Sequence, residues 1–199
     1  MIFEVKSKEE KSVDKIYNKI MKEYELFFDF NWKTQKPKIF KLSPKIYSEL
    51  TEGLLRKSAT AHAKGEYLFL QNKYFKNDKE IERILRHEIA HAFTYCVAKF
   101  RRAKPHWLWE GIAVYLSKEN KNKERSKFHK FLKNYDSMDR DAYYECGFAV
   151  QFLIENYGKQ KLLKLIKSLK DIDSKNKFAK KFKEIYGFEL KYKNFEDKV

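Results

Sequence analysis

The chain has 199 residues, of which 43% are hydrophobic and 17% aromatic, enough apolar material for one ordinary domain with a packed core. Its two cysteines, Cys96 and Cys146, are too few for a disulfide framework and lack metal-site spacing, so we interpret both as small buried apolar side chains. The formal net charge of +16 would attract anions, but Lys and Arg are spread along the chain, 20 in residues 1–100 and 24 in 101–199, which argues against a dedicated basic arm.

The first half of the chain alternates between helical and strand patterns, and apolar residues at helical spacing follow a capping box from Ser7 to Glu10. The predicted elements are a helix over about 8–28, a strand over 38–42, a short helix from Pro44 to near Gly53, strands over 58–63 and 66–71 that form a hairpin or closely spaced pair, and a long helix over about 78–100.

After a polar break at 101–105 the pattern is helical only. The predicted helices cover about 107–118, 122–135, 144–157, 159–170 and 174–186, with a short one at the end. Because the strands are confined to the first half, we predict an α+β fold: a small N-terminal mixed sheet with a long helix, and an all-α C-terminal lobe. We expect a single domain over 1–199, with an upper lobe of about 1–100 and a lower lobe of about 101–199.

The long predicted helix carries two histidines four residues apart, His87 and His91, with Glu88 directly after the first. Residues four apart lie one turn apart on the same helical face, so both imidazoles can reach one metal ion. Zinc accepts neutral imidazole nitrogens, and a hydrolytic zinc site keeps one position for water. Glu88 lies about 100° further round the helix, where its carboxylate can take a proton from that water.

This five-residue pattern is not decisive by itself. In a chain with five histidines, chance produces it in on the order of one chain in a hundred. The alternative is a surface helix whose histidines and glutamate simply face the solvent.

A third ligand candidate, Glu110, stands 19 residues after His91, among Trp, Leu, Ile and Ala residues at the start of an apolar helix. A glutamate in such surroundings rarely stays charged and buried unless it is paired or binds a metal. Metal binding by Glu110 explains its setting, with the loop 101–106 returning the chain to the metal.

The segments HEIAH and PHWLWEGIA together resemble the gluzincin metallopeptidases, in which a second helix donates a glutamate as the third zinc ligand. The similarity is to the peptidase MA-like proteins and to the aminopeptidase N and leukotriene hydrolase families. It implies a zincin-like metallopeptidase fold, a Zn²⁺ cofactor held by His87, His91 and Glu110, and hydrolysis of peptide bonds with Glu88 as general base.

Tyr144 begins a Tyr-x-x-Gly-x-Ala segment similar to the one in which those aminopeptidases carry a tyrosine that hydrogen-bonds the oxyanion. A phenol there would share the charge that develops on the carbonyl oxygen. The alternatives are that Tyr144 only packs, as most of the thirteen tyrosines must, or that Tyr143 takes its place. Residues 61–70 resemble the edge strand that pairs with extended substrate, and the whole resemblance spans about 58–158.

Two departures limit the resemblance. No Gly-x-Met-Glu-Asn segment precedes the metal helix, so exopeptidase action is not supported. Val114 stands four residues after Glu110, where an acidic residue is expected, so no hydrogen-bond partner is assigned to the metal histidines.

Two other interpretations stay open. In the first, His106 is the third ligand, as in SprT-like proteases that act on DNA-bound proteins, and the charge of +16 makes this worth keeping. In the second, the chain is a catalytically silent zinc-bearing or basic binding module, although the intact Glu88 argues against it. We expect His129 to be solvated on a lysine-rich helix, and His62 could line a cleft between the upper and lower lobes.

The expected partner is a peptide or protein substrate; nucleic acid stays open as a second partner, although no motif supports it. The N-terminus has no apolar signal region, and no stretch approaches 18 uncharged apolar residues. We therefore expect a soluble cytoplasmic protein without a membrane segment. The pattern indicates neither the oligomeric state nor the cleavage specificity.

Overall fold

The structure is a computed structural model that describes residues 8–32, 36–50, 61–64, 67–72, 77–99, 104–125 and 127–195. Its helices and strands are, in chain order, α1 (Lys8–Phe28), β1 (Lys38–Leu42), α2 (Pro44–Leu50), β2 (Ala61–Lys64), β3 (Tyr67–Gln71), α3 (Asp78–Ala98), α4 (His106–Ser117), α5 (Tyr143–Tyr157), α6 (Lys159–Ser168) and α7 (Lys175–Tyr186). The chain divides into two compact units, Met1–Ile89 and Ala90–Val199, with the boundary inside α3.

The first unit contains a three-stranded mixed sheet in the order β1-β3-β2. β1 runs parallel to β3, with Phe40 opposite Phe69, and β2 runs antiparallel to β3, with His62 opposite Phe69. The predicted mixed sheet is therefore confirmed. Ser7, the turn at 65–66, residues 58–60 and the predicted end of the short helix near 53 lie outside the described residues.

Two parts of the helical pattern in the first unit are confirmed in detail. In α1 the buried apolar side chains recur at helical spacing, as Ile20, Met21, Tyr24 and Phe28. α3 begins where predicted, and the backbone N–H of Glu80 donates to the side chain of Asn77 at 2.8 Å, as an N-terminal cap requires.

A buried arginine ties α1 to α3. Arg86 is 7% exposed, and its guanidinium donates to Glu23 on α1 at 2.6 Å and to Glu82 on α3 at 2.8 and 3.0 Å. The Tyr24 hydroxyl donates to the backbone carbonyl of Arg86 at 3.1 Å. Burial alone would lower the pKa of Arg86, but its bonds to Glu23 and Glu82 raise that pKa above the usual value. These contacts hold the residue that directly precedes the first histidine of the motif.

We expect Arg86→Met to lower the free energy of unfolding by about 1.5–3 kcal/mol, the usual range for hydrogen bonds to charged groups. The bond to Arg86 lowers the pKa of Glu82 below its ordinary 4.5 in the folded protein. The pair therefore contributes fully above pH 4.5, and its contribution disappears as the pH falls through the lower folded pKa. Urea unfolding at neutral and acidic pH measures both effects.

The matched control for that variant is Lys19→Met. The Lys19 ammonium lies 3.3 Å from Glu82, but 59% of its side chain is exposed, so solvent screens the pair. We expect a change of no more than about 0.5 kcal/mol in the control. Equal stabilities of the two variants at every pH would contradict the role assigned to Arg86.

The second unit contains helices and irregular segments in its described part. α5 packs against α4 and against α6, and α6 packs against α7. Its interior is rich in aromatic rings, most of them in edge-to-face contact. The buried rings include Trp107, Phe128, Phe131, Phe178, Phe182 and Phe195.

The predicted helix over 122–135 is wrong. Apart from residue 126 the stretch is described, and it forms turns, bends and irregular chain with one 3-10 turn at Phe131–Lys133. The backbone N–H groups of residues 129–131 donate to the carboxylate of Glu145 rather than to carbonyls one helical turn earlier. A tertiary partner thus replaces the helical hydrogen bonds that the pattern predicted.

The α+β fold class is confirmed: strands occur in the first unit, and the second is helical in its described part. None of the described helices is both long enough and apolar enough to span a bilayer. A single peptidase domain over 1–199 stays a prediction.

Candidate metal centre

The two histidines of the motif lie on one face of α3. His87 and His91 are one helical turn apart, and both side chains are partly buried. Glu88, which follows His87, is only 7% exposed, although charged carboxylates are rarely buried. α3 therefore brings the predicted ligands and the predicted base together.

Glu110, on the second turn of α4, completes a group with the two histidines. The Nε2 atom of His91 lies 3.7 Å from Oε1 of Glu110, and the Glu110 side chain is 24% exposed. One nitrogen or oxygen from each of His87, His91 and Glu110 lies within 4.8 Å of the other two. Among the described residues, these three side chains form the one group of at least three His, Cys, Asp or Glu residues close enough together to hold a metal ion.

The donor set fits a hydrolytic zinc ion. Zinc binds imidazole nitrogen and carboxylate oxygen at about 2.0–2.2 Å, so neighbouring ligand atoms in a tetrahedral site are about 3.4 Å apart. The separation of 3.7 Å between His91 and Glu110 is close to that value. Three protein ligands would leave the fourth position to water or substrate.

Close packing of α4 on α5 determines the position of the α4 backbone next to Glu110. A Cβ on Gly111 would lie 2.5 Å from the backbone carbonyl oxygen of Cys146, and a Cβ on Gly147 would overlap the side chain of Val114. Any larger residue at Gly111 would push the two helices apart next to Glu110. Sequence reasoning missed Gly111, and the available signal was a glycine inside an apolar helix.

The two cysteines differ in burial. Cys146 is fully buried, as predicted, whereas Cys96 is only partly buried. Burial, and after it the nearby Glu110 carboxylate, raises the pKa of the Cys146 thiol. The thiol therefore behaves as a small apolar group near Glu110.

The first turn of α4 is held by backbone carbonyls instead of a capping side chain. The N–H of His106 donates to the carbonyl of Tyr135 at 3.0 Å, and the N–H of Trp107 donates to the carbonyl of Asn134 at 2.8 Å. Pro105, at the N-cap, provides no side-chain hydrogen bond. Residues 134–135 therefore satisfy two of the donors that every helix start leaves unpaired.

His106 does not enter the group of three that the described residues form. It is the first residue of α4 and is partly buried. Burial lowers its pKa, while the charge of Glu110 opposes that shift. The structure thus brings Glu110, rather than His106, to the histidine pair.

The two tyrosines that open α5 have different surroundings. The hydroxyl of Tyr143 donates to Oε2 of Glu119 at 3.1 Å. Tyr144 is 39% exposed, and the ammonium of Lys123 lies 5.0 Å from the centre of its ring. Tyr144 is thus the more exposed of the two phenols, and its role at a reacting carbonyl stays a prediction.

The remaining histidines are placed as follows. His62 lies on β2, an edge strand of the sheet, and its side chain is outside the described part of the structure. His129 is 60% exposed at its side chain, as predicted, but it lies in an irregular segment rather than a helix. Among the described side chains, His129 does not belong to the group on α3 and α4.

Comparison with protein families yields a match over residues 50–192 to the family described as "BSP: Peptidase of plants and bacteria". The match contains both histidines of α3, Glu110 and Tyr144. Searches among curated proteins and among solved structures returned no match.

Proposed function

Since the chain belongs to the BSP family of peptidases of plants and bacteria, we propose that it hydrolyses peptide bonds with a zinc ion held by His87, His91 and Glu110. The observation that carries the proposal is the convergence of these side chains from α3 and α4 within 4.8 Å. A solvated surface helix would give no reason for a third ligand from another helix to join the pair. In this proposal the site follows the gluzincin pattern and the chain has a zincin-like fold.

In this proposal each residue has a separate task. Bound zinc supplies a Lewis acid that polarises the peptide carbonyl and lowers the pKa of water. Glu88 takes a proton from the attacking water while the water oxygen bonds to the carbonyl carbon. Glu88 then passes that proton to the amine nitrogen as the C–N bond breaks. Tyr144 donates its O–H to the carbonyl oxygen while negative charge develops there.

The burial of Glu88 supports its assignment as the base. Only 7% of its surface is exposed, and a carboxylate is rarely buried to this extent without a specific partner or function. The peptide or protein that is cleaved is not determined by these residues, because side-chain pockets set cleavage specificity.

Metal removal tests the proposal. We expect purified protein reconstituted with zinc to contain one zinc ion per chain by elemental analysis. Cleavage of a denatured, acidic protein substrate should disappear after treatment with a chelator and return when zinc is added back, because the polarising group is lost and restored.

Magnesium added back after chelation is the control, since its preference for oxygen ligands in octahedral geometry does not fit two imidazoles. A wild-type protein that binds no zinc after reconstitution would overturn the proposed function.

A further inference from the structure

The side chain of Glu145 forms an unusual set of hydrogen bonds at the start of α5. Its Oε1 atom accepts the backbone N–H groups of His129, Lys130 and Phe131, at 2.9, 2.7 and 2.8 Å. Its Oε2 atom lies 3.6 Å from Nδ1 of His129. Only 5% of the Glu145 side chain is exposed, so the carboxylate is committed to this one segment.

Charge-assisted hydrogen bonds of this kind are about twice as strong as neutral ones, and a buried carboxylate that lost them would be left unsatisfied. The carbonyls of Lys130 and Phe131 accept the two hydrogen bonds of a 3-10 turn, but the N–H groups of residues 129–131 have Glu145 as their partner. Glu145 therefore determines where this irregular segment lies.

The fixed segment in turn contacts the first turn of α4. The ring of Phe131 packs edge-to-face on the ring of Trp107, with centroids 5.0 Å apart. A few residues later, the carbonyls of Asn134 and Tyr135 accept the first two N–H groups of α4. The start of α4 is thus held by side-chain packing and by backbone hydrogen bonds from the same segment.

Glu110 is on the next turn of α4, three residues after Trp107. Neighbouring turns of a helix are joined by hydrogen bonds and move together. A rotation of the first turn of α4 would therefore also rotate the Glu110 carboxylate about the helix axis. Ligands of a zinc ion must be placed within a few tenths of an ångström, and poor placement lowers the affinity.

We infer that Glu145 is a positioning residue for the third metal ligand: it fixes residues 129–135, which fix the first turn of α4 and the orientation of Glu110. This inference rests on the proposed zinc site. Glu145 touches neither the metal group nor the reacting atoms in this scheme. It acts through the segment that it holds.

Zinc affinity measured by competition with a chromophoric chelator tests the inference. We expect Glu145→Ala to weaken zinc binding by about 10- to 100-fold, the usual cost of losing a group that orients a ligand. Glu145→Gln keeps an oxygen that accepts the same N–H groups, so its affinity should recover to within about tenfold of wild type. Glu155→Ala, an exposed position on the same helix, should leave the affinity unchanged.

A second destabilised variant distinguishes the positioning of Glu110 by Glu145 from a general contribution of Glu145 to stability. Leu165 is fully buried in α6, and Leu165→Ala destabilises the same unit by opening a cavity. We expect this variant to lose thermal stability yet keep wild-type zinc affinity while folded. In Glu145→Ala, the amide protons of His106 and Trp107 should exchange faster than those in the middle of α5. In Leu165→Ala, this difference should be absent.

Three results would overturn the inference. The first is a wild-type zinc affinity in folded Glu145→Ala, and the second is an equal loss of affinity in Leu165→Ala. The third, no zinc binding by the wild-type protein, would overturn the proposed function together with the inference, so the two failures are distinguishable.

Discussion

Replacing Glu88 with glutamine should lower kcat for peptide hydrolysis by about 10²- to 10⁴-fold while the zinc content stays at the wild-type level. Glutamine has nearly the same shape as glutamate but cannot accept the proton of the attacking water. Residue 88 is not one of the three residues that form the metal group, so the affinity for zinc should be preserved. Elemental analysis and turnover measured on the same preparation separate the two properties.

Glu80→Gln, in the first turn of the same helix, is the control for a lost negative charge on α3. We expect this variant to keep wild-type turnover. A zinc-loaded Glu88→Gln protein with undiminished turnover would reject Glu88 as the general base, even if the zinc site itself were correct.

Replacing Glu110 with alanine should abolish stoichiometric zinc binding. Removal of one ligand leaves only the histidine pair of α3, and the loss should exceed the roughly 10- to 100-fold that follows removal of an outer hydrogen-bond partner. Zinc content after reconstitution and gel filtration measures the effect without a known substrate. Peptidase activity should be lost in the same variant.

His106→Ala is the matched comparison, because His106 stands at the start of the same helix and was the alternative third ligand. We expect this variant to retain one zinc ion per chain. Loss of zinc in His106→Ala with retention in Glu110→Ala would exclude the gluzincin arrangement and favour the SprT-like alternative.

Much of the secondary structure could be predicted because apolar spacing reflects burial along one face. The bounds of α1 and β1 match the prediction, and those of α3 and α5 differ from it by at most two residues. In these elements the pattern and the tertiary contacts favour the same conformation, so local reasoning is sufficient.

The failed helix over 122–135 shows where that reasoning stops. The spacing of its aromatic residues is compatible with a helix, yet Phe131 packs on Trp107, and Glu145 takes the N–H groups that a helix would use. A carboxylate 14 residues further along the chain gives no local signal before the fold is known. The propensity of the segment was therefore outweighed by one distant partner.

The candidate site likewise has features that local sequence predicts and features that depend on distant contacts. The pairing of His87 with His91 follows from the helical repeat alone, because residues four apart share a face. The choice of Glu110 came from its apolar surroundings and from the gluzincin resemblance, and the structure supports it with a separation of 3.7 Å from His91. The pairing of Arg86 with Glu23 and the contact of Gly111 with Cys146 were not predicted, because each depends on a residue far away in the chain.

The sequence by itself thus determined the helices and strands with a clear period, the α+β class and the histidine pair, since all of these depend on neighbours within one or two turns. Only the tertiary structure decided that Glu110 rather than His106 joins the pair, that residues 127–135 form no α-helix, and that Glu145 holds residues 129–131. Those features depend on contacts between distant segments, and their energies arise from burial and hydrogen bonding that local spacing does not encode.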